Sequence, residues 1–162
     1  MRLEDELSDI SRLANLLEIA PVAIDFVTTV CGKHIGSGSY RSVFEYNIDD
    51  RFVVKVEPLN TNCNQTEYRL WEEIKGLHSD LAFVPKWFAP VEWISPNGRI
   101  LLMRKTSYKP SKERPTKIPE FLTDIKPDNF GWIGNNFVCH DYGQDYGFMH
   151  FSKKMKKAEW NY

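Results

Sequence analysis

Apolar residues alternate with polar ones along several short stretches of this chain, the pattern of strands that bury one face of a sheet. We predict five strands, at residues 33–36, 42–47, 51–57, 89–95 and 99–105. Pro96-Asn97-Gly98 lies between the last two and is typical of a tight hairpin turn. The pattern therefore indicates an antiparallel sheet.

One stretch between the third and fourth strands has helical periodicity. We predict a helix over residues 64–75, capped by Asn64 and ended by Gly76. Its apolar stripe consists of Leu70, Trp71 and Ile74. Together with the strands, this helix indicates an α+β fold.

A second amphipathic helix is predicted near the start of the chain, over residues 3–19, where Pro21 stops it. Its heptad of apolar residues either packs onto the sheet or forms the seam of a homodimer. We therefore assign residues 1–30 to a helical extension.

Two charged residues fall at positions that the pattern predicts to be buried. Strand alternation places Lys55 on the same face as Val53, within a β-branched run. Glu67 lies on the apolar side of the predicted helix. We predict that they form an ion pair, because a buried carboxylate needs a cation. The alternatives are a Lys55 that reaches solvent and a Glu67 that belongs to a capping box with Asn64.

A glycine-rich turn is predicted between the first two strands. Gly36 and Gly38 allow backbone N–H groups to approach phosphate oxygens, because neither residue has a Cβ. Val43 resumes the apolar strand in a position to cover one face of a base. An ordinary surface turn is the alternative.

Acidic and amide side chains cluster late in the chain. Asp124, Lys126 and Asn129 lie within one hexapeptide, and Asp141-Tyr142-Gly143 follows a second predicted hairpin. Phosphoryl transfer uses such a set: an acid for the attacking hydroxyl, a lysine for the phosphoryl charge, and an amide and an acid for magnesium.

With these motifs in order, the sequence between Lys33 and Gly143 resembles the protein kinase superfamily, and in particular the short kinase-like proteins of bacteriophages. The resemblance implies ATP and Mg²⁺ as cofactors. It implies a nucleotide-covering turn formed by Gly36, Ser37, Gly38, Ser39 and Val43, and a phosphate-contacting Lys55 paired with Glu67. It further implies an adenine-contacting hinge formed by Met103, Arg104, Lys105 and Thr106, a catalytic pair Asp124 and Lys126, and the metal ligands Asn129 and Asp141.

The resemblance also has clear gaps. The residue directly before Asp124 is Thr123, not an arginine, and only nineteen residues follow Gly143. Residues 107–119 contain three prolines and are predicted to be a mobile connection. We therefore expect a single minimal domain over residues 31–162. Its small lobe spans residues 31–106, and residues 107–162 form the hinge, catalytic loop and strongly truncated C-terminal lobe.

A second Asp-Tyr-Gly occurs four residues after the first, so Asp145 competes with Asp141 as the metal ligand. We prefer Asp141 because residues 137–140 read as a strand that ends beside it, after a Gly134-Asn135-Asn136 turn.

Composition narrows the setting. The chain has 42% hydrophobic residues, a net charge of −1 and three widely spaced cysteines, which fits a folded protein in a reducing cytoplasm, that of the host if phage-encoded. We expect no membrane segment and no general nucleic-acid affinity. The basic tail from Lys153 is predicted to be a solvated helix end, with contact to nucleic acid or an acidic partner as the alternative.

The leading hypothesis is an ATP- and magnesium-dependent phosphotransferase, a minimal Ser/Thr protein kinase acting on host or phage proteins. The alternative is a pseudokinase-like binding protein that modulates a host partner. A small-molecule kinase is a third possibility, although it needs an acceptor pocket that this chain has little sequence to build.

Overall fold

The structure, a computed structural model, describes residues 29–57, 61–110, 112–143 and 150–160. Within these ranges the chain forms nine strands and one long α-helix. The strands are β1 (Cys31–Ser37), β2 (Ser42–Tyr46), β3 (Phe52–Val56), β4 (Val91–Ile94), β5 (Ile100–Arg104), β6 (Lys117–Pro119), β7 (Phe130–Ile133), β8 (Asn136–Cys139) and β9 (Met155–Lys157). The helix, α1, spans Cys63–Lys75.

The first five strands form one antiparallel sheet in the order β1-β2-β3-β5-β4. The predicted turn before Arg99 connects β4 to β5, and Gly98 in it has a φ of 75°, a conformation that glycine adopts without strain. Helix α1 packs against the sheet at β4 and β5. The predicted α+β class, with a five-stranded antiparallel sheet and one packed helix, is confirmed.

The two faces of the sheet bury separate apolar clusters. In β3, Val54 and Val56 join a small cluster with Phe44 and Ile100. Val53 lies on the opposite face, in a larger cluster that continues into α1 and the C-terminal part of the chain. The period-2 alternation predicted for β3 is therefore confirmed, and it places Lys55 on the side of the larger cluster.

The start of helix α1 differs from the prediction. The helix begins at Cys63, and the side chain of Asn64 does not cap it. The Glu57 carboxylate takes that role, because it accepts the N–H groups of Thr61 at 2.7 Å and Asn64 at 2.8 Å. The carboxylate of the residue that follows β3 thus satisfies a donor in the first turn of the helix, which would otherwise have no partner. Helix α1 and β3 are thereby joined.

The predicted connection over residues 107–119 makes backbone pairings near its two ends. Ser107 exchanges two backbone hydrogen bonds of 2.9 Å with Trp132 in β7. Lys117–Pro119 forms β6, which pairs antiparallel with β9 in the C-terminal tail. The prediction of a helix end for this tail is wrong, because Met155–Lys157 is a strand whose partner lies 38 positions earlier in the sequence.

The tail also contributes to the core beneath the sheet. The Trp160 ring packs edge-to-face on Phe130 and Phe137, with centroid distances of 5.3 and 5.6 Å. Its indole N–H donates to the Pro115 carbonyl at 3.2 Å. The short β7–β8 hairpin that carries the two Phe residues is thereby covered on one side by the tail.

The helix predicted over residues 3–19, with its proposed dimer seam, lies outside the described residues. Among the residues that the structure does describe, no helix has the length and apolar character needed to cross a membrane.

Candidate functional site

A cavity of about 980 Å³ lies between the sheet and the C-terminal part of the chain. Such a volume is of the size that holds small ligands. Most of the residues singled out in the sequence line it: Gly36, Ser37, Gly38, Ser39, Val43, Lys55, Met103, Arg104, Lys105, Thr106, Asn129 and Asp141. Residues separated by about 100 positions therefore face one space.

The predicted Lys55–Glu67 ion pair is confirmed. Lys55 Nζ lies 2.9 Å from Glu67 Oε1 and 3.0 Å from Oε2, and both side chains are buried. Glu67 is not part of the cavity lining, and its carboxylate also accepts the backbone N–H of Tyr142 at 2.9 Å. Lys55 Nζ donates in addition to the His140 carbonyl. The pair thus joins the sheet, helix α1 and the segment that precedes Asp141.

Arg41 is a site residue that the sequence analysis did not assign. It lies between the glycine-rich turn and β2, and its guanidinium is buried against two acids. Nη1 lies 2.7 Å from Glu67 Oε2, Nη2 lies 2.9 Å from Oε1, and Nη2 also contacts Asp141 Oδ1. The sequence signal that could have identified it is a positively charged residue three positions after Gly38, beside a turn already predicted to bind phosphate.

Local charges shift the pKa values in this cluster. Burial raises the pKa of Glu67, but the charges of Arg41 and Lys55 and their hydrogen bonds outweigh it and hold the pKa at about 2. Burial lowers the pKa of Lys55, and the nearby Arg41 lowers it further against the opposing effect of Glu67. Two cations and two carboxylates therefore share this end of the cavity, and their formal charges balance.

The hexapeptide loop of residues 124–129 is held by its own side chains. Asn129 Nδ2 donates to Asp124 Oδ2 at 2.8 Å and to the Asp124 carbonyl at 3.2 Å. Lys126 Nζ lies 3.3 Å from the same carboxylate. Asn129 is part of the cavity lining, whereas Asp124 and Lys126 lie beside it and are partly exposed. The loop thus places its acid next to the cavity through the amide of Asn129.

His140 connects three parts of the site. Its Nε2 lies 2.8 Å from the Asp128 carbonyl, which only accepts, so Nε2 carries a proton. Burial lowers the pKa of His140 to about 4, so the ring is neutral at pH 7 and Nδ1 accepts from the Thr106 hydroxyl at 2.8 Å. The sequence analysis assigned no role to this histidine. It gave no indication of the link to Thr106.

The predicted hinge has fewer open backbone donors than expected. Met103 is fully buried opposite Val53. The N–H of Arg104 donates to Pro90 and that of Lys105 to Arg51, each at 2.8 Å. The Lys105 side chain pairs with Glu45 at 3.2 Å. The N–H groups of residues 104 and 105 are therefore occupied, and only the other backbone groups of this segment are left for a ligand.

The glycine-rich turn is closed by one backbone hydrogen bond, from Gly38 N–H to the Arg41 carbonyl at 2.8 Å. A Cβ placed on Gly36 would meet nothing within 4 Å. Gly36 thus leaves the backbone open towards the cavity, whereas the N–H of Gly38 is already used within the turn.

Asp141 follows β8 as predicted, since that strand ends at Cys139. The Tyr142 side chain after it is fully buried, and its hydroxyl donates to the Ala89 carbonyl at 2.6 Å. The competing residue, Asp145, lies outside the described residues.

The donor atoms fit magnesium in kind. Because the Asn129 amide nitrogen is bound to Asp124, its Oδ1 is the atom left for a metal, and the Asp141 carboxylate is 48% exposed. Magnesium prefers such oxygen ligands and is completed by phosphate and water. Across the described ranges, no three His, Cys, Asp or Glu side chains form a metal-binding group. The protein itself would therefore supply one amide and one carboxylate.

Comparison with known proteins adds little. No protein-family model and no curated protein matches the sequence. One solved structure, described as the streptomycin-ATP-APH(2")-IIa ternary complex, is similar with 15% sequence identity and a TM-score of 0.38. The similarity covers 57% of this chain and about 30% of that one, so this chain spans less than a third of its length.

Proposed function

We propose that this protein is an ATP- and magnesium-dependent phosphotransferase with a kinase-like site. One observation carries the proposal: Lys55, Asn129 and Asp141, from β3, the hexapeptide loop and the segment after β8, line the same cavity as the glycine-rich turn. Lys55 and Arg41 belong to its lining, and both are N–H donors of the kind that bind phosphate oxygens. Phosphoryl transfer depends mainly on positioning and charge stabilisation, and this arrangement supports both.

In this proposal the adenine lies against the apolar wall formed by Val43, Val53 and Met103, next to the hinge residues. The backbone of the glycine-rich turn and Lys55 bind phosphate oxygens, and Glu67 holds Lys55 in place. Asn129 and Asp141 would hold the magnesium ion, which neutralises phosphate charge when bound.

Asp124 is the proposed general base, because its carboxylate lies beside the cavity and is oriented by Asn129. It orients the acceptor hydroxyl and accepts its proton, while Lys126 stabilises the charge on the transferring phosphoryl group. Ser/Thr hydroxyls of host or phage proteins are the proposed acceptors, in the host cytoplasm.

A transfer assay with magnesium and γ-labelled ATP tests the function. With cell extract or the protein itself as acceptor, Asp124→Ala is expected to lower transfer by about 10²–10⁴-fold, the range for loss of a general base. Asp141→Ala should abolish transfer. The control is Asp80→Ala, which removes a 92% exposed carboxylate that is not part of the cavity lining and should leave the rate unchanged. Equal labelling by all four proteins would refute the proposal.

The second candidate is a nucleotide-responsive binding protein without transfer activity. It is favoured by the absence of a long helix after Thr106 in the described residues, since such helices form the peptide-binding platform of kinases. Thermal unfolding separates the candidates when combined with the assay. A rise in melting temperature with ATP and magnesium but no labelling favours the binding protein, whereas transfer lost in Asp124→Ala excludes it.

A further inference from the structure

The guanidinium of Arg41 is held in a fixed position in the cavity lining. Its side chain is 9% exposed and forms a bidentate ion pair with the fully buried carboxylate of Glu67. Nη1 also lies 3.4 Å from Asn64 Oδ1. This geometry is that of a fixed structural ion pair rather than of a mobile surface arginine.

Gly143 makes room for this guanidinium. A Cβ on Gly143 would lie 3.0 Å from Arg41 Nη1, 3.1 Å from Nη2 and 2.7 Å from the Cys63 carbonyl. The position after Tyr142 therefore accommodates glycine, because a larger residue there would collide with the Arg41 guanidinium and the Cys63 carbonyl. Two separate parts of the sequence, the glycine-rich turn and the tripeptide, are matched to each other at this point.

Asp141 and Glu67 differ in what Arg41 provides to them. Glu67 has Lys55 as a second cation, whereas the half-exposed Asp141 has Arg41 as its ion-pair partner. A guanidinium on a carboxylate oxygen neutralises part of its charge and occupies a lone pair that a metal would use. A divalent cation at Asp141 therefore meets a positive charge that is already in place.

We infer that Arg41 is a positioning residue that holds Asp141 in the metal-free protein, and that a divalent cation binds Asp141 only in competition with the Arg41 guanidinium. This inference rests on the proposed function, in which Asp141 is a metal ligand. Arg41 keeps its two contacts with Glu67 when the metal binds, so the glycine-rich turn stays anchored while Asp141 exchanges one cation for another.

The test is a titration with Mn²⁺ alone, in which the electron paramagnetic resonance signal of the free ion reports how much metal is unbound. Mn²⁺ accepts the same oxygen ligands as Mg²⁺. Arg41→Gln removes the charge and is expected to tighten Mn²⁺ binding about tenfold or more, by analogy with the effect of a neighbouring charge on a carboxylate. Arg51→Gln is the matched control, because Arg51 is exposed and pairs with Asp49. It should leave Mn²⁺ affinity unchanged.

Two further variants keep the inference open to refutation. The gain must disappear in the double variant Arg41→Gln/Asp141→Asn, and a gain that persists would place the metal elsewhere. Should Arg41→Gln not fold, Arg41→Met also removes the charge and keeps a long side chain that can pack in its place. Mn²⁺ affinity is expected to rise here too. Unchanged or weaker Mn²⁺ binding in the folded variants overturns the inference.

The outcome is separable from that of the proposed function, because the Mn²⁺ titration contains no nucleotide. A protein that neither binds nor uses ATP but shows the Arg41→Gln gain would refute the phosphotransferase and retain the competition. Active wild type with no Arg41→Gln effect on Mn²⁺ affinity would do the reverse.

Discussion

At the scale of single residues, Glu67 is the side chain on which the site depends most. It accepts from Lys55, Arg41 and the Tyr142 N–H, and is fully buried. Its removal would leave Lys55 without its carboxylate partner, Arg41 with Asp141 alone and the Tyr142 N–H without an acceptor.

Glu67→Gln is expected to lower the free energy of unfolding by about 3–5 kcal/mol, the cost of breaking a buried ion pair from one side. Urea denaturation followed by circular dichroism measures it. Glu73→Gln, on the same helix but exposed, is the matched control and should change stability by less than about 0.5 kcal/mol.

The same residue predicts a dependence on pH. The pKa of Glu67 in the folded protein is about 2, below its ordinary value of 4.5, so the unfolded chain takes up the proton first as the solution is acidified. The stability from this carboxylate is complete above pH 4.5 and is lost as the pH falls towards 2. Between these values the wild type should lose stability more steeply than Glu67→Gln. Parallel curves for the two proteins would contradict the assignment.

At the scale of elements, the pairing of β6 with β9 anchors the C-terminal tail under the cavity. Backbone hydrogen bonds continue on both sides of the ladder, from Ala158 N–H to Thr116 at 2.9 Å and from Glu120 N–H to Lys154 at 3.0 Å. Trp160 then reaches Phe130, which itself lines the cavity. The tail therefore supports the wall of the site from below.

Trp160→Ala is expected to destabilise the protein by about 2–3 kcal/mol, less than a fully buried aromatic because the ring is partly exposed. Thermal and urea unfolding measure the change. Ile48→Ala serves as the control, since Ile48 is an apolar residue that is 69% exposed. A loss no larger than that of the control would show that the tail does not support the β7–β8 hairpin.

At the scale of the whole molecule, the three cysteines differ in their access to the cavity, because Cys63 lines it and the other two do not. Cys31 is buried in the small cluster and Cys139 in the large one, and burial raises the pKa of both thiols, to about 12 for Cys31. Cys63 is also buried, but it lines the cavity. A reagent that enters the cavity therefore meets one thiol before the other two.

Labelling with a disulfide reagent at pH 8 should modify Cys63 first, because it lines the cavity. The other two thiols should react only on unfolding, because burial raises their pKa and disfavours the reactive thiolate. ATP with magnesium is expected to slow the labelling of Cys63 if the cavity binds nucleotide. Mass spectrometry of the labelled peptides gives the order, and Cys63→Ser is the control. Equal rates for the three thiols in the folded protein would contradict the assignment.

Much of the fold was predictable from the sequence. Residue alternation in β3 placed Val53 and Lys55 on one face, and the helical stripe placed Glu67 towards the core, so the ion pair followed from local periodicity. The hairpin at Gly98 followed from turn chemistry. These features depend on residues that are close in sequence, and the pattern contains them.

The tertiary structure alone decided the rest. The pairing of β6 with β9 and the link from His140 to Thr106 join segments that are distant in sequence, and the capping of helix α1 by Glu57 replaces the local cap that the sequence favoured. No periodicity encodes which distant partner a polar side chain will meet. Arg41 is the clearest case, because its charge was visible in the sequence but its partners were not. Only the folded chain brings Glu67 and Asp141 to one guanidinium. A buried charge is stable only beside an opposite charge, and tertiary packing decides which acids lie near it.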